Sequence, residues 1–432
     1  MKKKDIRALI PEIATSMTGA SFGSSTMSAG MTYLGQFISH EIVPNTIKLT
    51  ASREVTRELN LDSLYGDNSL YTNLLGQKDD IFFHKNGRFI LNENNPHDLN
   101  RIEEGPLKGT AVIPEQRNDE NMIIAQLHLL WQKLHNSLMD KGIARSALDA
   151  RKIVTLMIHV VIIEDYLHQV LDENVFRAYF RNNRKYLKFD FTSIPTFFSH
   201  AGFRFGHSMV REVYEVNTGT KLPLSSLFGS EKPIPIDKAI AWDKFFRIDG
   251  AETAQKALEI NTFISTHMKS IPGSGLHNIT THIIERNLLA GLEAGLPGGK
   301  EFFQSVMEQC NRCDIKKDLE LHLLEDISKA SFSDVTGLSM DNLPLWLYIL
   351  YEAQVEHSGF RLGVLGSMIA AEVLSASMSG ATVSVYKNDT YQVYEVLELL
   401  DDLVPGFTSG FDVDFKQADM FMSNLIKFVE QS

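Results

Sequence analysis

Residues 150–171 constrain the fold more than any other stretch, because they form a helical pattern that is apolar on almost every side. Such a helix cannot lie on a surface and has to be wrapped by other elements. A chain of 432 residues with 44% apolar content has the material to do so. Its neighbour in sequence is also helical. Ile123, Leu127, Leu130, Leu134 and Leu138 recur at spacings of three and four, which makes one apolar stripe within residues 120–140. A short helix is predicted over 33–42. Further helices are predicted over 195–217, 252–269, 279–294, 317–330, 343–378 with a break, 390–403 and 415–430.

Residues 81–91 read differently. Asn86-Gly87 between aromatic-rich runs predicts a hairpin closed by a type I′ turn, which needs positive φ at both central residues. No pattern for a large sheet, no internal repeat and no low-complexity tract is visible. The expected fold class is mostly α-helical with minor β ribbons. Residues 1–30, small and polar toward their end, read as a loop-like lead-in, and 31–432 as one domain.

The formal net charge of −12 argues against a nucleic-acid partner, which would call for a basic surface. The two cysteines, Cys310 and Cys313, exclude a disulfide scaffold and lack the further ligand pair a zinc site needs. After Met1-Lys2-Lys3-Lys4, the apolar run Ala8-Leu9-Ile10 is broken by Pro11 and Glu12, so no secretory signal is expected. No uninterrupted apolar run reaches the roughly 18 residues of a membrane span. The expected location is cytoplasmic.

Three short constellations carry possible chemistry. In Gly35-Gln36-Phe37-Ile38-Ser39-His40-Glu41, Gln36 and His40 are four apart and share a helix face, where they could hold water or a peroxide. Glu41 is turned about 100° away and must serve another site. Arg117-Asn118-Asp119-Glu120 opens a helix that continues to His128 and His135-Asn136. In Phe203-Arg204-Phe205-Gly206-His207-Ser208, Gly206 permits close approach beside His207, the phenylalanines supply an apolar wall, and Arg204 could reach a carboxylate. Taken singly, each also admits an ordinary reading: a polar helix end, a helix-start carboxylate, or a core histidine beside a salt-bridging arginine.

In this order, the segments resemble the animal haem peroxidase superfamily, in a bacterial-type member. Gly35-Gln36-x-x-x-His40 resembles its distal-histidine helix, and Leu61-Asp62-Ser63-Leu64-Tyr65-Gly66 the end of its calcium loop. Arg117-x-x-Glu120, running on to His135-Asn136, resembles its catalytic-arginine helix, and Ala150-Arg151-Lys152-Ile153-Val154 the helix after it. Phe203 to Ser208 is close to its proximal-histidine motif. Asn287-Leu288-Leu289 resembles the segment supplying a proximal asparagine, and Arg361-Leu362-Gly363 lies within a later matching helix pair. The similarity spans roughly 31–300 and 340–378.

The resemblance implies a haem b cofactor with His207 as axial iron ligand, the Asn287 carbonyl accepting from His207 Nδ1–H, and Arg204 on a haem propionate. It implies His40 as the acid–base group toward hydrogen peroxide, Arg117 as the charge that stabilises O–O cleavage, and Gln36 beside the peroxide or halide. It implies Ca²⁺ held by Glu41, Thr56, Asn60, Asp62 and the main-chain oxygen of Glu58. The expected partners are hydrogen peroxide and small organic, halide or pseudohalide reductants. The chain also departs from the pattern. Ser39 replaces the aspartate that forms one haem ester in some relatives, while Glu120 matches the second ester-forming position; one ester at most is expected. Relatives that act as fatty-acid dioxygenases carry a radical-forming tyrosine three residues before the proximal histidine, and Arg204 stands there instead.

Overall fold

The structure, a computed structural model, describes residues 3–19, 23–44, 56–66, 86–183, 192–229, 233–271, 282–311, 324–412 and 417–431. The chain divides into two compact units. One comprises Met1–Thr32, Leu167–Glu212 and Lys256–Ala376, and the other Tyr33–Tyr166, Val213–Gln255 and Ser377–Ser432. Both are mainly helical, and the described strands form three two-stranded sheets.

The first unit opens with a helix, Lys3–Met17, where a loop-like lead-in was expected. Ile6, Ile10, Ile13, Ala14 and Met17 are buried along one side of it. This spacing of three and four is a helix signature that overrides Pro11, whose ring sits on the solvent side. Strand Ser24–Ser28 then pairs antiparallel with Lys256–Leu258. That partner falls where 252–269 was expected to be helical: a pairing more than two hundred residues away in sequence outweighs the local pattern. Helices Ile283–Glu293, Gly299–Asn311, Leu345–His357 and Val364–Ser379 complete this unit's frame, the last two realising the predicted broken pair. A side chain at Gly299 would collide with the Tyr348 ring, so the glycine sets how closely that helix start approaches its neighbour. Residues 312–323 lie outside the described residues, and 324–330 form turns rather than the expected helix.

In the second unit, helix Met122–Asp140 buries the whole predicted stripe, from Ile123 to Leu138. Asn121 caps it by accepting from Ile123 N–H. Helix Ala147–Val160 is capped by Ser146 and runs on through a π-helical turn, Val161–Leu167. The 24-residue stretch Ala147–Val170 is long and apolar enough to cross a membrane, but 89% of its most apolar window is buried inside the protein. It is the wrapped helix that its composition demanded. Tyr166, in the π turn, lies against Gly35, where a Cβ would come within 2.5 Å of its hydroxyl. Gly35 is thus required for the helix Ala29–Ile42 to pass this close.

Residues 195–217 do not make the expected helix. A π turn at Phe198–Gly202 is followed by a 3-10 turn at Phe205–Met209 and then by strand Val213–Asn217, which pairs with Thr220–Pro223 around Gly219 at φ +84°. Tyr214 and Val216 are buried while Val213 is exposed, a period of two that favours a strand. The first strand of the predicted 81–91 hairpin lies outside the described residues. At its turn only Gly87 has positive φ, so the turn is not type I′; Asn86 instead bonds Arg88 N–H through its side chain. Cys310 falls in the last turn of Gly299–Asn311, and Cys313 lies outside the described residues.

Candidate functional site

The candidate residues fall into two sets, one in each unit. In the second unit, His40 is buried in the last turn of helix Ala29–Ile42, with Gln36 one turn earlier and partly exposed. His40 Nδ1 lies 2.8 Å from Asn118 Oδ1, and Asn118 Nδ2 lies 3.1 Å from His128 Nδ1. Asn118 and His128 are both fully buried. Desolvation pushes the His128 pKa down to about 3, so that ring is neutral.

Arg117 sits in the 3-10 turn Gln116–Asp119. Its Nε and Nη2 grip the Glu115 carboxylate at 2.9 Å each, and Nη2 also donates to the carbonyls of His40 (2.8 Å) and Val43 (3.0 Å). Those carbonyls end the helix Ala29–Ile42, where acceptors go unpaired and a cation is favoured. Arg117 therefore fastens the histidine-bearing helix end. Its Nη1 makes no hydrogen bond among the described residues. Glu120 follows the turn, partly exposed, with its main chain tied to Arg117 and Gly229.

The five residues expected to hold calcium also lie in this unit, and as placed they do not form a calcium cage. Ca²⁺ takes about 6–8 oxygen ligands, but most of the oxygens here already accept from a protein donor, and Thr56 Oγ1 itself donates to the Glu58 carbonyl and toward Asp62 Oδ2. Glu41 is 1% exposed, and its two oxygens accept from the backbone N–H groups of Asp62 (2.9 Å) and Ser63 (2.8 Å). Arg151 donates to Asp62 Oδ1 (2.8 Å) and to the Asn60 carbonyl (3.1 Å), placing a guanidinium among the supposed ligands. Asn60 Oδ1 accepts from Thr382 N–H, and the Glu58 carbonyl accepts from Asn60 N–H and Thr56 Oγ1. No group of three His, Cys, Asp or Glu able to hold a metal occurs among the described residues. The long Glu41 side chain lets its carboxylate reach the helix Asp62–Tyr65 directly. His159 Nε2 adds a bond to the Leu59 carbonyl at 2.8 Å, so protein groups pin the described part of the loop.

In the first unit, His207 lies in the 3-10 turn Phe205–Met209. Burial, then the charges of Arg204 and Arg286, lower its pKa to about 3, keeping the ring neutral. Asn287, fully buried on helix Ile283–Glu293, places its Nδ2 2.9 Å from His207 Nδ1. The amide nitrogen faces the ring here, where the carbonyl was expected. Arg204 Nη1, which can only donate, claims Asn287 Oδ1 at 3.1 Å and turns the amide nitrogen toward the histidine. Arg204 Nε bonds the Ser199 carbonyl at 2.8 Å, and the indole N–H of Trp346 donates to the Arg204 carbonyl at 3.3 Å.

Two features of this set fit a haem. Arg204 is desolvated enough to lower its pKa to about 10, yet no carboxylate among the described residues pairs with it. A buried cation of this kind suits a ligand that brings its own carboxylate. Beside His207, a Cβ on Gly206 would meet nothing within 4 Å, and the histidine keeps part of its surface accessible. There is open space at the one histidine that the sequence marks as a metal ligand.

Several residues in these sets have no assigned role in the sequence reading. Glu115, Asn118, His128 and Arg151 act through side-chain bonds to partners 2 to 91 positions away. His135 and Asn136 prove to be structural: His135 bonds the Tyr65 hydroxyl and the Gly87 carbonyl, and Asn136 pairs with both main-chain groups of Phe89.

Pig thyroid peroxidase is 24% identical over 291 residues, covering 62% of this chain and 30% of that protein. Rat thyroid peroxidase is 26% identical over 283 residues, covering 61% and 30%. The chain thus spans less than a third of the length of these relatives. Among solved structures, peroxidase A from Dictyostelium discoideum superposes with a TM-score of 0.56 at 14% identity, covering 90% of this chain and 88% of that one. Fatty acid alpha-dioxygenase from Oryza sativa superposes with a TM-score of 0.61 at 10% identity, covering 100% and 77%. These likenesses establish the shared, mostly helical fold. The family model for animal haem peroxidases matches residues 49–381, more than three quarters of the sequence, and the chain belongs to that family.

Proposed function

We propose that this protein is a haem peroxidase that reduces hydrogen peroxide and oxidises small organic, halide or pseudohalide donors. The observation that carries the reading is the desolvated Arg204, without a carboxylate partner among the described residues, joined through Asn287 to the neutral His207 beside open space. His207 would bind the iron and Arg204 a propionate. With Arg204 engaged by that carboxylate, Asn287 is released to turn its carbonyl to His207 Nδ1–H, the arrangement that orients a ligating histidine.

Bound haem supplies the iron at which the O–O bond of peroxide is cleaved. The chain's part is to move a proton and steady a charge. His40 takes the proton from the incoming peroxide and returns it to the departing oxygen, work for which an imidazole is suited near neutral pH. Arg117, fixed by Glu115 and the helix carbonyls, has Nη1 left to meet the negative charge that develops. Gln36, on the same helix face as His40, would hold a water or a small donor. Glu120 offers one carboxylate for an ester to a haem methyl, and Ser39 offers none. With fewer links than multiply esterified relatives, the haem would favour bromide, iodide, thiocyanate or organic donors over chloride.

The fatty-acid dioxygenase reading lacks its agent. Arg204 occupies the position of the radical-forming tyrosine and is bonded to Asn287. Stopped-flow mixing of the haem-loaded protein with peroxide tests the proposal. His40→Ala should bind haem yet react slower by about 10²–10⁴-fold, the usual contribution of a general acid–base group. Equal rates for variant and wild type would remove His40 from the reaction.

A further inference from the structure

We infer that Asn118 and His128 form a positioning relay that fixes the tautomer of His40, presenting Nε2 as the basic nitrogen. The inference rests on the peroxidase reading for its function and on geometry for its substance. Neutral imidazole carries one N–H, and the nitrogen that bears it is set by what the other groups around the ring accept or donate. His40 Nδ1 faces an amide oxygen at 2.8 Å, a group that can only accept. The proton therefore resides on Nδ1, and the lone pair on Nε2.

The orientation of Asn118 is itself held. Turned by half a revolution, its NH₂ would face His40 Nδ1 and force the opposite tautomer. Its Nδ2 instead donates to His128 Nδ1 at 3.1 Å. That bond needs His128 to present a lone pair at Nδ1, so the His128 proton sits on Nε2, a buried atom without a hydrogen-bond partner among the described residues. A buried donor left unpaired is costly, and its retention calls for a reason; holding Asn118 supplies one. A protonated His128 would donate from Nδ1 and reverse the amide. Full burial, which keeps this ring neutral down to about pH 3, guards against that. Asn118 is next in sequence to Arg117, whose Nη2 grips the His40 carbonyl, so one short turn sets both the main chain and the ring of the same histidine.

The test uses the full chain loaded with haem, labelled with ¹⁵N at histidine and held in the diamagnetic ferrous carbonyl form. Long-range ¹H–¹⁵N correlation should find His40 protonated at Nδ1; protonation at Nε2, or a mixture, overturns the relay. Asn118→Leu should give a tautomer mixture and slow the reaction with peroxide by about 10–100-fold, below the roughly 10⁴-fold cost of an imidazole held wholly in the wrong tautomer. Asn118→Asp, which keeps an acceptor for His40, should preserve the Nδ1–H signal and react within about threefold of wild type, a small change against the 10²–10⁴-fold range of acid–base catalysis. An Asn118→Leu protein that keeps both signal and rate overturns the inference. Should His40→Ala react at the wild-type rate, the peroxidase reading falls, and the tautomer spectrum still decides whether the relay exists.

Discussion

The anchoring of the loop at Asp62 to the histidine-bearing helix yields a prediction that separates a metal-bound protein from a metal-free one. Glu41 receives two backbone N–H bonds on a buried carboxylate. Hydrogen bonds to a charged group contribute about 1.5–3 kcal/mol each. Glu41→Gln keeps one acceptor and sets an NH₂ against the other N–H, so the loss should be about 2–3 kcal/mol. At about 2–4 °C per kcal/mol for a unit of roughly 150–250 residues, the melting temperature should fall by about 4–12 °C. This fall should be the same in EDTA and in millimolar calcium, and wild type should melt within about 1 °C under both conditions, a margin well inside the 2–4 °C that 1 kcal/mol would move. A bridging ion would behave otherwise. At 1,000 times its Kd a ligand stabilises by about 4.1 kcal/mol, a shift that scanning calorimetry could not miss. A melting temperature that drops in EDTA and recovers with calcium, together with stoichiometric calcium on elemental analysis, would refute the reasoning. Arg151→Met should also destabilise, because it strips the cation from Asp62 and Asn60.

His207→Ala should lose most haem or shift its absorption bands, read from the Soret region after reconstitution; full loading with an unchanged spectrum would remove His207 as the ligand. Acid should weaken the second unit well before its carboxylates titrate. Burial lowers the pKa values of His128, His135 and His159 to about 3, 4 and 4, against about 6.5 in an unfolded chain. The unfolded state then binds more protons below pH 6.5, so this stability is complete above that value and is lost as pH falls toward 4, approaching about 1.4 kcal/mol per pH unit for each ring. Denaturant midpoints that stay flat from pH 6.5 to 4.5 would contradict it. Peroxide treatment should leave haem attached to the peptide containing Glu120 after acid–solvent extraction, and Glu120→Gln should abolish the attachment; complete extraction from wild type would show that no ester forms.

What the sequence made legible follows from how local each cause is. The stripe on Met122–Asp140 and the all-round apolar helix from Ala147 are set by spacings within one element, and the structure repeats them. The motif around His207 could be identified because its residue types sit side by side, although the expected helix there is a pair of tight turns. A Cβ at Gly202 would meet Ile369, 167 positions later, and such a partner leaves no mark on the local pattern. The calcium expectation meets a related obstacle. Glu41 and Asp62 are residue types a calcium site would use, and only their placement shows a carboxylate reaching N–H groups and a guanidinium among the oxygens. Asn118 is the sharpest instance. Within its own segment it is one polar residue among four, Arg117 to Glu120. Its meaning comes from His40, 78 positions earlier, and from His128, ten positions later. A single amide between those two rings decides which nitrogen of His40 carries the proton. Residue types suited to a reaction can thus be read from sequence motifs, while those that set their protonation emerge only when the chain has folded.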